Sequence, residues 1–541
     1  MMTGLTGTSR LVRLALRRDR VSLSAWVLGL GLFVAATTAM FVDLLATYDD
    51  VVRETWLVAT NAGMRMLGVT SGASVGGYML HREYVTLAVL AALMSTLAVV
   101  RHTRQNEELG RAEVVGATVV GRYAGLAAAV IVTVGANIVL ALVLGLAMMV
   151  NGLPASGSFL AGASIAAVGV VFVGVAAISC QLTSTTRGAT GLASAVLGLA
   201  FLLSGIGNML GTVDDRALRV TSAWPVWLSP IGWGQQTRPF GGGHWWPLVL
   251  FGILLALLLV VAVALVGRRD VGRGIWPERR GHAHASATLL SQAGLVWRLQ
   301  RGALLGWTVA LLAFGLIFGT LSEQIQDVQG PAAEWYAGIG GTDQIADAYR
   351  ASIIQMAGMF VAIYVVQILL RMRVDEAGGT LESVLATGVT RPRWVLGDVL
   401  NAAAGAVVLI LVFAVSMGLT AGQVLGDTTT QVREMAEAGL VQLPGILLLG
   451  GVIVVLLALL PRWAVPLSWA LLVTALVLGP MFGPTLGLPH WAQDLSPFTH
   501  IPKAPATDVT AAPLLILASI CVALAVAGVV AIRRRNLILP A

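Results

Sequence analysis

Residues 104–118 read RQNEELGRAEVVGAT, and residues 373–387 read RVDEAGGTLESVLAT. With Glu113 placed on Glu382 and no gaps, Arg104 falls on Arg373, Glu107 on Glu376, Gly110 on Gly379, Thr118 on Thr387 and Arg122 on Arg391. In each copy an acidic cluster precedes a glycine, and a short Glu-led amphipathic segment follows. Acidic side chains suit the positive end of a helix, and glycine permits a sharp change of chain direction. A solvated acidic loop would explain one such string. Two copies in register point to a chain built twice from one plan.

The surroundings of the two strings identify the solvent. Apolar residues make up 57% of the 541 residues and charged residues 11%, with mean hydropathy +0.84. Soluble domains carry about 25% charged residues, so most of this chain faces something other than water. A helix of about 20 apolar residues crosses a hydrocarbon core about 30 Å thick. Twelve segments qualify: 23–44, 83–101, 121–150, 157–180, 188–210, 247–267, 303–321, 351–370, 394–420, 440–460, 464–484 and 513–532. Segments three and nine have length to tilt or break, and Pro444 near the start of the tenth is tolerable in a membrane helix. The basic stretch at the N-terminus runs straight into the first segment with no small-residue cleavage pattern, so that helix is expected to stay in the membrane.

Charge sets the orientation. With the N-terminus inside, 25 of the 34 basic residues lie on the cytoplasmic side and 17 of the 27 acidic residues outside. Retained arginine marks the cytoplasmic face, and every second loop obeys it, giving an even number of spans with both ends inside. Trp224, Trp227, Trp233, Trp245 and Trp246 crowd the approach to span six, and Trp491 precedes span twelve, as interfacial tryptophan should.

The halves correspond elsewhere too. Leu228-Ser229-Pro230 before span six matches Leu495-Ser496-Pro497 before span twelve, and Arg268-Arg269-Asp270 matches Arg534-Arg535-Asn536. The expected architecture is all-α, with twelve transmembrane helices as two parallel six-helix repeats. Residues 1–267 form the first half, 268–302 a basic cytoplasmic linker, and 303–541 the second half. A parallel repeat of this kind fits a secondary transporter of the facilitator type or a fused permease of an ATP-driven pump.

The repeated strings resemble the coupling region of type-2 ABC permeases, which lies between spans two and three. The fused twelve-span form is similar to bacterial exporters of polyketide antibiotics and multidrug efflux permeases. The resemblance covers the whole chain in topology and about 15 residues per half in motif. It implies a plasma-membrane permease working by alternating access. Two copies of a separate P-loop ATPase, with ATP and Mg²⁺ bound there, would drive export of amphipathic or apolar small molecules. It assigns coupling to the ATPase to Arg104, Glu107, Glu108, Gly110 and Glu113 in the first half, and to Arg373, Glu376, Gly379 and Glu382 in the second. The copies differ at Arg111-Ala112 against Thr380-Leu381 and at Leu109 against Gly378, so the two elements need not be equivalent. The Asp-Arg-x-Gly-Arg-Arg turn of a facilitator loop is absent.

Other chemistry finds little support. A Walker A loop needs a lysine on the β/γ-phosphates, and the only lysine, Lys503, stands between Pro502 and Pro505. No enzyme activity is expected of this chain. His282 and His284 lie in the basic linker without a surrounding ligand set, and Cys180 and Cys521 sit in apolar runs. The basic residues punctuate apolar runs rather than forming a patch for nucleic acid. No ionisable group falls at a span centre, which argues against a proton relay.

Candidate substrate contacts are Met356, Phe360, Tyr364 and Gln367 on one face of span eight, and Ser204, Asn208 and Met209 in span five. Helix packing with interhelical hydrogen bonds explains the same residues, and also Asn137 in span three. For segments 212–246 and 486–512 the resemblance implies short re-entrant helices that cap the exit path, while the residues read equally as interfacial loops.

Overall fold

The computed structural model describes residues 2–216, 218–276, 284–322, 344–484 and 488–535. His282, Asn536 and parts of the segments 268–302 and 486–512 lie outside the described residues. The chain divides into two compact units, Met1–Gly281 and His282–Ala541.

In the first unit the long helices are α1 (Thr8–Leu44), α3 (Val75–His102), α6 (Ala124–Val150), α7 (Ala155–Leu182), α8 (Thr186–Met209) and α10 (Pro247–Val266). Between them lie α2 (Tyr48–Thr60), α4 (Arg104–Glu108), α5 (Arg111–Gly116), the two-stranded pair β1 (Thr212–Val213) and β2 (Val220–Thr221), and α9 (Pro230–Gln235). The strands pair antiparallel, Thr212 opposite Thr221. The second unit has α11 (Gln292–Thr320), α12 (Ile345–Ala377), α13 (Thr380–Leu385), α14 (Arg391–Leu425), α15 (Thr428–Val441), α16 (Leu443–Leu459), α17 (Ala464–Leu478) and α18 (Ala511–Arg534).

Among the described residues, eleven helical stretches are long and apolar enough to cross a membrane, counting α15 and α16 as one. The segment expected at 464–484 is helical only to Leu478, giving 15 residues. At 1.5 Å per residue this falls short of a hydrocarbon core. Pro480 explains the stop, because the residue before a proline is pushed out of the helical region, and Gly479 is extended at φ −65°, ψ 175°. The first helix departs in the other direction. It runs 37 residues from Thr8, so the basic stretch is part of the helix rather than a tail. Nothing in Thr8–Leu28 interrupts it, since that stretch holds neither proline nor glycine.

Burial runs against apolarity. α10 is the most apolar of the eleven spans and the least buried, whereas α3, α7 and α12 are the most buried. A soluble protein would hide α10, so its exposed Val249, Ile253, Leu257 and Val260 mark a surface for lipid. The core of the first unit is built by α3 and α7 against their neighbours, through Leu87, Ala91, Ile165 and Phe172. Close approach there depends on small residues: a Cβ on Gly162 of α7 would stand 2.3 Å from the Ala141 carbonyl of α6. Asn137 of α6 donates to Ser95 Oγ of α3 at 2.8 Å and pins α6 to α3 as well.

At one end of each unit the Leu-Ser-Pro strings fold alike. Ser229 Oγ donates to the Ala200 carbonyl of α8 at 2.6 Å, and Ser496 Oγ donates to the Ala475 carbonyl of α17 at 2.7 Å. In the first unit this draws α9 in among the long helices, with Ile231, Gly232 and Gly234 buried. In the second, Pro497–His500 forms a single 3-10 turn with Pro497 and Phe498 buried.

Candidate functional site

The repeated strings lie at the arginine-rich end of each unit. In the first unit, α3 ends where Thr103 leaves helical geometry and its Oγ1 donates back to the Val99 carbonyl at 2.6 Å. A β-branched residue bonding to its own preceding turn competes with helix continuation. α4 follows, then Gly110 at φ +71°, then α5. In the second unit the position of Thr103 is occupied by Met372, and α12 runs unbroken to Ala377. Gly379 then turns at φ +74° into α13. Both glycines hold the left-handed conformation that costs any other residue about 1–2 kcal/mol.

The acidic residue before each glycine is clasped. Arg269, just beyond α10, grips Glu107 bidentately at 2.6 and 2.8 Å. Arg535, just beyond α18, grips Glu376 bidentately at 2.7 and 2.7 Å. Planar two-point pairing fixes orientation as well as distance. Arg104 adds a contact to Glu107 at 2.9 Å, and Arg373 approaches Glu376 at 3.7 Å. Arg122 donates to the Arg269 carbonyl at 3.0 Å, and Arg391 donates to the Arg535 carbonyl. Five corresponding residues in each unit (an arginine, a glutamate, a glycine, an arginine opening the third long helix and an arginine closing the last) therefore build one arrangement twice.

The copies diverge around it. Arg104 is fully buried and its guanidinium also donates to the Cys180 carbonyl of α7. Arg373 is partly exposed and donates to the Pro461 carbonyl at 3.0 Å. Glu108 accepts from Thr186 N at 2.9 Å and from Thr186 Oγ1, binding α4 to the start of α8. Its counterpart is Ala377, which can make no such bond. Glu113 and Glu382, in the first turns of α5 and α13, are exposed.

Sequence reasoning paired the strings but gave no role to Arg269 and Arg535, although Arg-Arg-Asp and Arg-Arg-Asn carry the signal. It also missed Asp19 of α1, buried and held by Arg101 at 2.9 Å and His102 at 2.6 Å. Gln300 of α11 stands at the matching place, seven residues before Trp307 as Asp19 is before Trp26. Gln300 donates to Asp398 of α14 at 2.9 Å and accepts from Asn401. Asp398 is buried two turns into its helix. Under α5 opens a cavity of about 560 Å³, bordered by α1, α4, the start of α6 and the end of α10.

The candidate substrate contacts fall into two packing networks. Ser204 and Asn208 are buried and both donate to Gln235 Oε1 of α9, at 2.9 and 2.7 Å, while Ser222 donates to Asn208 Oδ1 at 2.8 Å. Met209 is exposed at the end of α8. On α12, Phe360 stacks on Phe314 of α11 with centroids 5.9 Å apart, and Tyr364 meets Trp307 edge-on at 6.5 Å. Gln367 accepts from Trp307 Nε1 at 3.0 Å, and Met356 is half-buried one turn before Phe360.

Apolar helices of membrane length, with the most apolar one outermost, define a multi-pass α-helical membrane protein. The family model described as "Multidrug efflux system permease Rv1217c, C-terminal domain" matches residues 9–267 and 289–533. The chain is 37% identical over 544 residues to the multidrug efflux system permease protein Rv1217c of Mycobacterium tuberculosis (strain ATCC 25618 / H37Rv), across 99% of this chain and 96% of that protein. It belongs to this family of efflux permeases.

Proposed function

We propose that this chain is the membrane-spanning subunit of an ATP-driven efflux pump with type-2 ABC architecture. It exports amphipathic or apolar drug-like molecules and is energised by two copies of a separate P-loop ATPase, which hold ATP and Mg²⁺. Twelve spans, with α17 as the short one, form two parallel six-helix halves, 1–267 and 303–541, joined by the linker 268–302. Both termini and the arginine-rich ends face the cytoplasm of a bacterial cell, in accord with 25 of 34 basic residues on that side.

The observation that carries the reading is the doubled clasp. An exposed Glu-led helix, α5 or α13, follows a glutamate fixed bidentately to the end of the last long helix of the same unit. A push on α5 or α13 is thereby delivered to two spans at once, through Arg104, Glu107, Glu108 and Gly110 or through Arg373, Glu376 and Gly379. Glu113 and Glu382 are the groups offered to the ATPase. Along the substrate path, Ser204 and Asn208 hold the re-entrant α9, with Met209 at its edge. Met356, Phe360, Tyr364 and Gln367 form an aromatic seam that opens as α11 and α12 separate.

A second reading, ion-coupled transport, draws on Asp398, a buried carboxylate in a long helix. Vesicles given ATP and a protonophore separate the two: the pump keeps exporting, and an ion-coupled carrier stops. Within the pump reading, Glu382→Arg abolishes export while the variant still inserts and the ATPase still turns over. Unchanged export by that variant removes Glu382 from the coupling path.

A further inference from the structure

The cavity under α5 is assigned to neither coupling nor the substrate path, and its lining has two characters. Its inner wall is apolar and buried, with Ala15 of α1 and Leu126 and Ala129 of α6. Its rim carries Arg18, Arg111 and Arg122. Arg18 donates to the neutral amide of Asn106 at 2.8 Å, and Arg122 donates to two backbone carbonyls at 2.8 and 3.0 Å. Those partners leave the positive charge uncompensated. Among the described lining residues the one carboxylate is Glu107, already neutralised by Arg104 and Arg269. The cavity is therefore cationic at its mouth and greasy at its back. Its volume of about 560 Å³ is that of a small-molecule site. It opens where α1 and α6 pass from charged to apolar sequence, and exposed Val21, Leu28 and Leu32 continue the apolar surface from Leu14 along one face of α1.

We infer that this cavity binds the phosphate headgroup of an anionic phospholipid, with its acyl chains lying along the outer face of α1. Arginine forks match phosphate oxygens, and basic residues at the membrane surface attract anionic headgroups. A lipid seated there contacts α1, α5 and α6 together and couples the coupling helix to the composition of that leaflet. The inference needs only that the chain is membrane-embedded. Its failure leaves the ATPase reading intact, and loss of the ATPase reading leaves it standing.

The test titrates the full-length chain in mild detergent with phosphatidylglycerol, with phosphatidylcholine of the same acyl length, and with inorganic phosphate, followed by native mass spectrometry. Phosphatidylglycerol binds in preference to phosphatidylcholine, and the double variant Arg18→Ala/Arg111→Ala weakens it roughly 30-fold, about 2 kcal/mol. Millimolar inorganic phosphate does not displace it. Equal binding of the two lipids, or unchanged affinity in the double variant, overturns the site. Displacement by inorganic phosphate overturns the lipid as occupant. Gly125→Leu provides a second handle, because Gly125 lines the cavity, a Cβ there meets nothing within 4 Å, and the added side chain intrudes on the space the lipid needs. It abolishes lipid binding with every arginine intact; retained binding overturns the assignment equally.

Discussion

The two clasps use the same residues and bury opposite charges. Around Glu107 the hidden group is the cation, with Arg104 at 0% exposure and Glu107 at 12%. Around Glu376 the hidden group is the anion, at 2%, while Arg373 and Arg535 are 17% and 14% exposed. A repeated sequence fixes which groups meet. Neighbouring helices fix which of them loses its water. In the first unit the break at Thr103 turns α4 inward and carries Arg104 to the Cys180 carbonyl. In the second, α12 continues straight, and Arg373 reaches only to Pro461 near the surface.

The difference predicts a crossed pattern of stability losses, read as thermal unfolding of purified variants in detergent. Glu107→Ala has the largest effect, about 3–5 kcal/mol, because it strands a buried cation. Arg535→Ala follows at about 1.5–3 kcal/mol, because buried Glu376 loses its bidentate partner while Arg373 stands farther off at 3.7 Å. Glu376→Ala costs about 1 kcal/mol or less, since both of its arginines can turn to water. If Glu376→Ala proves as damaging as Glu107→Ala, the asymmetry is broken. The two glycines sharpen the comparison from the other side. Gly110→Ala and Gly379→Ala should each cost about 1–2 kcal/mol, because their backbone geometry is the same in both units. Unequal costs would mean that one turn relaxes.

The smallest effect lies at the far end of each unit and should be the same in both. Asp50 completes a capping box with Thr47, the N-cap of α2, and Asp427 is the N-cap of α15. The Thr47 side chain holds the Asp50 carboxyl below its usual value, and the Thr430 side chain does the same for Asp427. A depressed carboxyl stabilises above its unfolded value of 3.8 and loses that contribution as pH falls through the folded value. Hydrogen exchange at the first turns of α2 and α15 should therefore stay protected at pH 5 and rise together below pH 4.

Much of this was legible in the chain. Apolar length gave the long helices, and two strings in register gave both glutamates, both glycines and the opening arginines. The end of α17 could have been read from Gly479-Pro480. Burial was not legible, because it depends on which helix packs where: nothing in RQNEELG says that Arg104 rather than Glu107 will be dry. The serine of each Leu-Ser-Pro string looked like loop punctuation, yet Ser229 and Ser496 are both fully buried and tie the loop to a span. Ser204 and Asn208, one turn apart, read from the sequence either as ligand contacts or as packing groups, and the packing partner, Gln235, lies 27 residues beyond Asn208 where no spacing rule points to it.

The claim that both clasped helices receive a separate motor is tested most directly by tagging this chain and purifying it gently from its native membrane. Co-purifying proteins are then identified and counted by mass spectrometry. The account predicts a P-loop ATPase at two copies per chain, lost on Glu113→Arg/Glu382→Arg. A chain that emerges alone and still drives export in vesicles without ATP would contradict it.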